Sequence, residues 1–173
     1  MSNHLEDLTA EWLELNGYFV RKSVLVGKRA TGGHDGELDV VGFHPQTEHL
    51  IHIECSLDSY SWAKREANFA RKFARGREHV RTLFPQLKSG HDIEQVALLQ
   101  LGGGNRCKIG GGRIMWVSDF VADILARLAT MHPDKKAVPS TLPLLRTMQL
   151  AAQPYRNRKL DGALIPTDLP IAN

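Results

Sequence analysis

The sequence has little cysteine and no long apolar run. Its two cysteines, Cys55 and Cys107, stand far apart and lack the close spacing of zinc ligands, so neither a disulfide framework nor a structural zinc site is predicted. No segment approaches the ~18 consecutive apolar residues of a membrane helix, and the first residues are too acidic for a signal peptide. We therefore expect a cytoplasmic protein with no membrane partner.

Aromatic residues are also scarce, at 7% of the 173 residues, while 42% are hydrophobic and 24% are charged. This composition is typical of a soluble globular protein and excludes a fibrous or wholly disordered chain. The length suits one domain. Because six of the eight prolines follow residue 131, we expect a core domain over residues 1–130 and a C-terminal extension, residues 131–173, with one short helix near Thr141–Gln153.

Hydrophobic periodicity predicts an α/β fold with a helix, three strands, a helix and a further strand. In chain order the predicted elements are a helix over Leu5–Leu15, strands at Tyr18–Val26, Glu37–Phe43 and His49–Ser56, a helix over Ser61–Phe84, strands at Gln95–Leu101 and Ile114–Val117, and a helix over Phe120–Leu128. The first three strands are expected to be antiparallel neighbours. The glycine-rich segment 102–112 is expected to form a wide hairpin between the last two strands.

Basic residues are concentrated in the second predicted helix. The segment Ser61–Lys88 has eight basic and two acidic residues, whereas the whole chain has 22 and 19. An apolar stripe on this helix faces the core, and the candidate nucleic-acid-binding residues lie on or beside the opposite face: Lys64, Arg65, Arg71, Lys72 and Arg75. Such a segment favours a polyanionic partner such as nucleic acid. A solvated helix face is the alternative interpretation.

Two carboxylates stand near the ends of neighbouring predicted strands. Asp39 lies on one strand and Glu54 on the next, so their side chains can converge at one edge of the sheet. Mg²⁺ prefers hard oxygen ligands, so this pair is a candidate metal site. His52 shares a strand face with Glu54 and could reach the same site, although a hydrogen-bonded strand histidine is the simpler interpretation.

Three short motifs connect these carboxylates to a known family. The segment GELDVVG at residues 36–42 is followed by the turn PQT at 45–47 and by IHIECS at 51–56. This arrangement resembles the PD-(D/E)XK nuclease superfamily, in which an Asp ends one strand and an acid-x-Lys stands on the next. Glu6, ahead of Gly17-Tyr18, resembles the helix-one Glu of its Holliday-junction-resolvase-like branch. The resemblance implies a restriction-endonuclease-like αβββαβ core, with a central mixed sheet flanked by helices.

The motif lysine of that family is replaced here by Ser56. A serine hydroxyl can position a water molecule, but it cannot supply the positive charge that the family's lysine brings to the phosphate. A lysine from another element could take that role. Lys64 is favoured, because it lies in the first helical turn after the Glu54 strand, and Lys72 and Lys28 are the alternatives.

The resemblance implies a metal-dependent endonuclease that hydrolyses phosphodiester bonds, with DNA favoured over RNA. Mg²⁺, or Mn²⁺ in its place, would be held by Asp39, Glu54 and the carbonyl of Cys55, with Glu6 serving a second metal or its water shell. The sequence does not give the oligomeric state, although the resemblance is compatible with a homodimer, since two sites cut two strands most simply. Two alternatives remain open: an inactive protein of the same fold that binds nucleic acid or a protein partner, and a subunit that acts only in a complex docked through its proline-rich extension.

Overall fold

The computed structural model describes residues 3–84, 92–100 and 106–152. Within them the protein is mixed α/β, with one six-stranded mixed sheet and four helices. In chain order the elements are α1 His4–Leu15, β1 Phe19–Lys28, β2 His34–His44, β3 His49–Ser56, α2 Trp62–Leu83, β4 Ile93–Leu99, β5 Lys108–Ile109, β6 Gly112–Trp116, α3 Val117–Ala129 and α4 Pro143–Ala152. No helix in these ranges combines the length and the apolar character that crossing a membrane requires.

The strands follow the order β1-β2-β3-β4-β6-β5 across the sheet. The first three are antiparallel neighbours, as predicted, and β4 runs parallel to β3. The predicted hairpin between β4 and β6 is wrong, because these strands are parallel, with Val96 opposite Arg113. The antiparallel partner of β6 is instead the short β5, joined to it by a tight turn at Gly110 and Gly111, which both have positive φ. Residues 102–104 of the glycine-rich segment lie outside the described residues.

Helix α1, His4–Leu15, agrees with the predicted Leu5–Leu15 to within one residue. Asn3 caps α1 by accepting a hydrogen bond from the backbone N–H of Glu6, and its Nδ2 donates to Glu6 Oε1 at 2.7 Å. This reciprocal pair satisfies amides that a helix start leaves without partners. The chain leaves the helix through Gly17, whose φ of +88° is readily accessible to glycine.

One face of the sheet is covered by α1, α3 and α4 over the largest apolar cluster. The described part of the C-terminal extension belongs to this cluster, since Val138 and Leu145 are buried beside Ile124 of α3. The carboxylate of Glu11 on α1 accepts hydrogen bonds from the backbone N–H groups at the start of α4. Through residue 152 the extension is therefore packed into the core. Residues 153–173 lie outside the described residues.

The opposite face of the sheet is covered by α2, which begins after its N-cap Ser61. The predicted apolar stripe is confirmed, because Phe69, Phe73 and Val80 are buried against the sheet. Ile53 and Cys55 of β3 point into the cluster under α1, α3 and α4. Because side chains alternate between the two faces of a strand, Glu54 points toward α2. Helix α2 therefore covers the candidate site.

Candidate functional site

Strand register brings the two predicted carboxylates together. The pairing of β2 with β3 ends at Val40 and Ile53, so Asp39 and Glu54 each lie one residue beyond the last pair, and both side chains reach the same lysine of α2. The backbone N–H of Cys55 donates to Asp39 Oδ2 at 2.9 Å, which fixes the Asp39 side chain across the end of β3. Both carboxylates are buried, Asp39 with 8% and Glu54 with 0% of its surface exposed. The convergence expected from the sequence is present.

The cation of the site is Lys72 of α2. Its Nζ lies 2.5 Å from Glu54 Oε2 and 3.2 Å from Asp39 Oδ2. Because one ammonium contacts both side chains, the two carboxylates are close enough to share a single cation. Lys64, which the sequence favours for this role, is elsewhere: its Nζ lies 3.4 Å from the centre of the Tyr60 ring. The structure corrects the preferred lysine from Lys64 to Lys72.

The different rise of helices and strands explains this correction. α2 runs back along β3 and lies directly against it at Gly76, where an added Cβ would lie 2.2 Å from His52 Nδ1. Glu54 is two residues farther along the strand, or about 6.6 Å at ~3.3 Å per residue. A helix covers that distance in about four residues at ~1.5 Å each. Four positions before Gly76 is Lys72, whereas Lys64 lies past the end of the strand.

Burial and charge set the ionisation of the three groups. Burial first, and then repulsion by Glu54, raise the pKa of Asp39 to about 7 against the attraction of Lys72. Burial also opposes the charge of Glu54, but the hydrogen bond from His52 and the attraction of Lys72 outweigh it, so the pKa of Glu54 lies below its usual value. Burial likewise opposes the charge of Lys72, yet attraction by Glu54 and Asp39 raises its pKa. Above pH 7 the cluster therefore has two negative charges and one positive charge.

A buried polar network continues behind Glu54. His52 faces the same side, as expected, and its Nε2 lies 2.7 Å from Glu54 Oε1. Gln95 of β4 places its Nε2 3.3 Å from His52 Nδ1 and donates to the carbonyl oxygen of Phe73 at 2.8 Å. Arg77 of α2 donates to Gln95 Oε1 at 2.6 Å. The sequence did not lead to Gln95 or Arg77 as members of the site. For Gln95 a signal was available, since it is a glutamine within an otherwise apolar buried strand.

Ser56, at the motif position of the family's lysine, belongs to a different network. Its hydroxyl donates to Asp58 Oδ2. Arg65 donates from Nε to Asp58 Oδ1 at 3.2 Å and from Nη2 to the Asp58 carbonyl oxygen at 2.5 Å. With only 5% of its surface exposed, Arg65 cannot present its charge on the basic face, which corrects its predicted role. Asp58 was missed by the sequence reasoning, although an acid two residues after Ser56 was a visible signal.

Glu6 and Cys55 lie toward the α1 side of the strand end. The Glu6 carboxylate accepts the hydrogen bond from Asn3 that caps α1. Burial raises the pKa of the Cys55 thiol, and the charge of Glu6 contributes to that rise, which places Glu6 near Cys55. The thiol lies 3.8 Å from the hydroxyl of Thr9 on α1, away from Lys72. A metal-ligand role for Glu6 or for the Cys55 carbonyl stays a prediction.

Three of the five predicted nucleic-acid contacts form an accessible basic face on α2. Lys64 and Arg71 are exposed, and Arg75 is half-buried. The Arg75 guanidinium lies against Gly36 of β2, where an added Cβ would be 2.5 Å from its Nη1. Arg75 follows Lys72 by about one helical turn, so positive charge continues from the candidate site to the surface.

The donor atoms of the site fit a hard cation held by few protein ligands. Glu54 Oε2 is fully buried, and its partner within the described residues is the Lys72 ammonium, 2.5 Å away. Residues 3–84, 92–100 and 106–152 include no cluster of three or more His, Cys, Asp or Glu side chains that could hold a metal. Two carboxylates with water completing the shell are a common Mg²⁺ arrangement. The two carboxylates therefore fit a divalent cation that would take the place of the Lys72 ammonium between Asp39 and Glu54.

Comparisons with known proteins leave the family of the chain open. A scan against protein-family models finds no match. A search of curated proteins likewise finds no significantly similar sequence. The motifs of β2 and β3 and the side-chain geometry around Asp39, Glu54 and Lys72 are therefore the observations that bear on function.

Proposed function

We propose that this protein is a divalent-cation-dependent nuclease of the PD-(D/E)XK type, with DNA as its substrate and Asp39, Glu54 and Lys72 as its active site. The observation that supports the proposal most strongly is the position of Lys72 Nζ, within 3.2 Å of Asp39 and 2.5 Å of Glu54. It supplies the positive charge that Ser56 cannot supply. The element order α1, β1, β2, β3, α2, β4 is compatible with the αβββαβ core of that superfamily.

Each side chain has a role that follows from its chemistry. Asp39 and Glu54 would hold Mg²⁺, or Mn²⁺ in its place, with Glu6 and the Cys55 carbonyl as further ligands implied by the resemblance. When bound, such a cation polarises the scissile phosphate and lowers the pKa of an attacking water. Once displaced from the carboxylates, the Lys72 ammonium would stabilise negative charge on the phosphate.

The basic face of α2 would hold the nucleic acid backbone. Lys64, Arg71 and Arg75 present positive charge beside the site, and phosphate contacts of this kind give binding that weakens as salt rises. Arg75 lies about one helical turn after Lys72, on the same side of the helix, so it would contact a phosphate next to the cleaved one. The contribution of this face is affinity rather than sequence preference.

Cleavage assays with site variants test the proposal. Purified protein is incubated with plasmid, single-stranded DNA and RNA in Mg²⁺ or Mn²⁺. We expect metal-dependent cleavage of DNA that Asp39→Asn and Glu54→Gln abolish and that Lys72→Met lowers by about 10²–10³-fold. Lys64→Met is the matched comparison on the same helix: it removes a lysine of the binding face, so it should weaken DNA binding while leaving the cleavage rate at saturating DNA close to that of wild type. Equal losses in the two lysine variants would refute the role of Lys72.

A second candidate function is that of an inactive nuclease fold that binds nucleic acid. Ser56 favours it, because its hydroxyl is neutral and is bonded to Asp58. Salt-sensitive DNA binding without cleavage, weakened equally by Lys64→Met and Arg71→Met, would support this function over the nuclease. If the protein neither cleaves nor binds nucleic acid, the partner-dependent subunit is the remaining interpretation.

A further inference from the structure

The polar network behind Glu54 determines which ring nitrogen of His52 is protonated. It links four side chains and one backbone carbonyl, from Arg77 through Gln95 and His52 to Glu54. His52 and Glu54 have no exposed surface, and Gln95 is also buried. With water kept from these atoms, each donor must be matched with an acceptor inside the network.

The two ends of the Gln95 amide can be told apart. A guanidinium can only donate, so the Gln95 atom 2.6 Å from Arg77 Nη1 is the carbonyl oxygen. The other atom is then the NH₂ group, and it lies 2.8 Å from the carbonyl oxygen of Phe73, which can only accept. The two contacts are independent and give the same orientation.

This orientation determines the tautomer of His52. The Gln95 NH₂ group lies 3.3 Å from His52 Nδ1, so Nδ1 faces a donor and must offer its lone pair. The ring proton is then on Nε2, which donates to Glu54 Oε1 at 2.7 Å. Glu54 Oε1 is thereby held by His52, and Oε2 is the oxygen next to Lys72.

The packing of α2 keeps the ring in this orientation. An added Cβ at Gly76 would lie 2.2 Å from His52 Nδ1 and 2.9 Å from Gln95 Nε2, so the helix backbone approaches both side chains closely. The ring of Phe73 packs edge-on against His52, with the centroids 5.7 Å apart. Glycine is less favourable than alanine inside a helix, and here the close approach requires it.

We propose that His52 is the positioning residue of the site: as its neutral Nε2–H tautomer, set by Gln95 and Arg77, it ties Glu54 Oε1 and turns Oε2 toward the cation. A hydrogen-bonded neighbour that orients a metal-binding carboxylate typically changes metal affinity 10- to 100-fold. The consequence for metal binding rests on the proposed function. The position of the proton does not, because it follows from the hydrogen bonds alone.

Nuclear magnetic resonance of ¹⁵N-labelled protein tests the position of the proton. A long-range ¹H–¹⁵N correlation spectrum separates protonated from unprotonated ring nitrogens, and the His52 signals are those missing in His52→Gln. We expect a protonated Nε2 and an unprotonated Nδ1. A protonated Nδ1 would overturn the inference whatever the protein does with metals.

Two variants test the positioning role by Mn²⁺ titration calorimetry. His52→Gln keeps a donor near the Nε2 position and should bind Mn²⁺ within a fewfold of wild type, whereas His52→Leu should bind about 10- to 100-fold more weakly. Equal affinity of His52→Leu and wild type would overturn the role. If wild type binds no Mn²⁺, the proposed function fails, and the tautomer spectrum decides this inference by itself. Thermal melts establish that both variants are folded; if His52→Leu is not, His52→Gln and the spectrum remain decisive.

Discussion

The two faces of β3 are both buried and have opposite chemistry. Ile51, Ile53 and Cys55 point into the apolar cluster under α1, α3 and α4, whereas His52 and Glu54 point into the polar network under α2. The apolar face contributes stability roughly in proportion to its buried area. Charges on the polar face must be matched partner for partner, and such a cluster is seldom more stable than an apolar one. The difference suggests that the polar face is retained for function, and four predictions test it.

The largest expected effect is on the apolar face. Leu145 of α4 has no exposed surface, so Leu145→Ala should lower the free energy of unfolding by about 2–5 kcal/mol in urea denaturation. Leu150→Ala is the matched control, since Leu150 is on the same helix and 66% exposed. Metal affinity of the folded protein should not change. A similar small loss in both variants would contradict the assignment of α4 to the core.

The next effect is on the polar face, where Lys72→Met leaves Glu54 buried without its main counter-charge. We expect a loss of about 3 kcal/mol in the free energy of unfolding. In the Glu54→Gln background the same substitution should cost much less, because the buried charge is already gone. Denaturation of the two single variants and the double variant measures this coupling. Additive losses would show that the ion pair between Lys72 and Glu54 does not contribute to the free energy of unfolding.

Gly76→Ala distinguishes helix propensity from packing on the polar face. Propensity alone predicts a gain of about 1 kcal/mol. The contact with His52 predicts a loss of about 1–3 kcal/mol, because the added Cβ overlaps buried side chains. Thermal melts decide the sign. Ala74→Gly, at an exposed position of the same helix, is the control and should cost about 1 kcal/mol. A stabilised Gly76→Ala variant would show that the network has room to move.

The smallest effect is the pH dependence due to Asp39, measured with EDTA present. Its pKa of about 7 is above that of the unfolded chain, so the folded state retains the proton longer. The associated stability is fully present below about pH 4 and is lost as pH rises through about 7. From pH 6 to pH 8 wild type should lose roughly 1 kcal/mol relative to Asp39→Asn.

Asp35→Asn is the control for this titration. A hydrogen bond from Arg29 lowers the pKa of Asp35, so that carboxylate stays ionised throughout the range from pH 6 to pH 8. This variant should therefore keep the wild-type pH dependence of unfolding. If Asp39→Asn also keeps it, the buried carboxylate does not titrate near neutral pH.

Local patterns were sufficient for every described element except the short β5, and for half of the site. Alternating polar and apolar residues indicated β2 and β3, and their antiparallel pairing made Asp39 and Glu54 converge. The hydrogen bond between Asn3 and Glu6 at the start of α1 likewise joins residues only three apart in sequence. These features depend on residues close in sequence or on one turn between neighbouring strands, so periodicity is enough to predict them.

Non-local contacts were beyond such patterns. The parallel pairing of β4 with β6 places Val96 opposite Arg113, and the relative direction of two strands is not encoded in their local periodicity. The network of Gln95 and Arg77 joins residues of two elements that approach only after α2 packs on the sheet. Burial of Arg65 follows from its contact with Asp58 in the loop before the helix.

The sequence by itself determined that two carboxylates meet at one end of a small sheet, because strand alternation and antiparallel pairing are local rules. Only the tertiary structure decided which lysine joins them. A helix rises ~1.5 Å per residue and a strand ~3.3 Å, so the residue opposite Glu54 depends on how far residues 57–61 carry the start of α2 beyond β3. That offset is set by packing of the whole helix and placed Lys72, rather than Lys64, between the two acids.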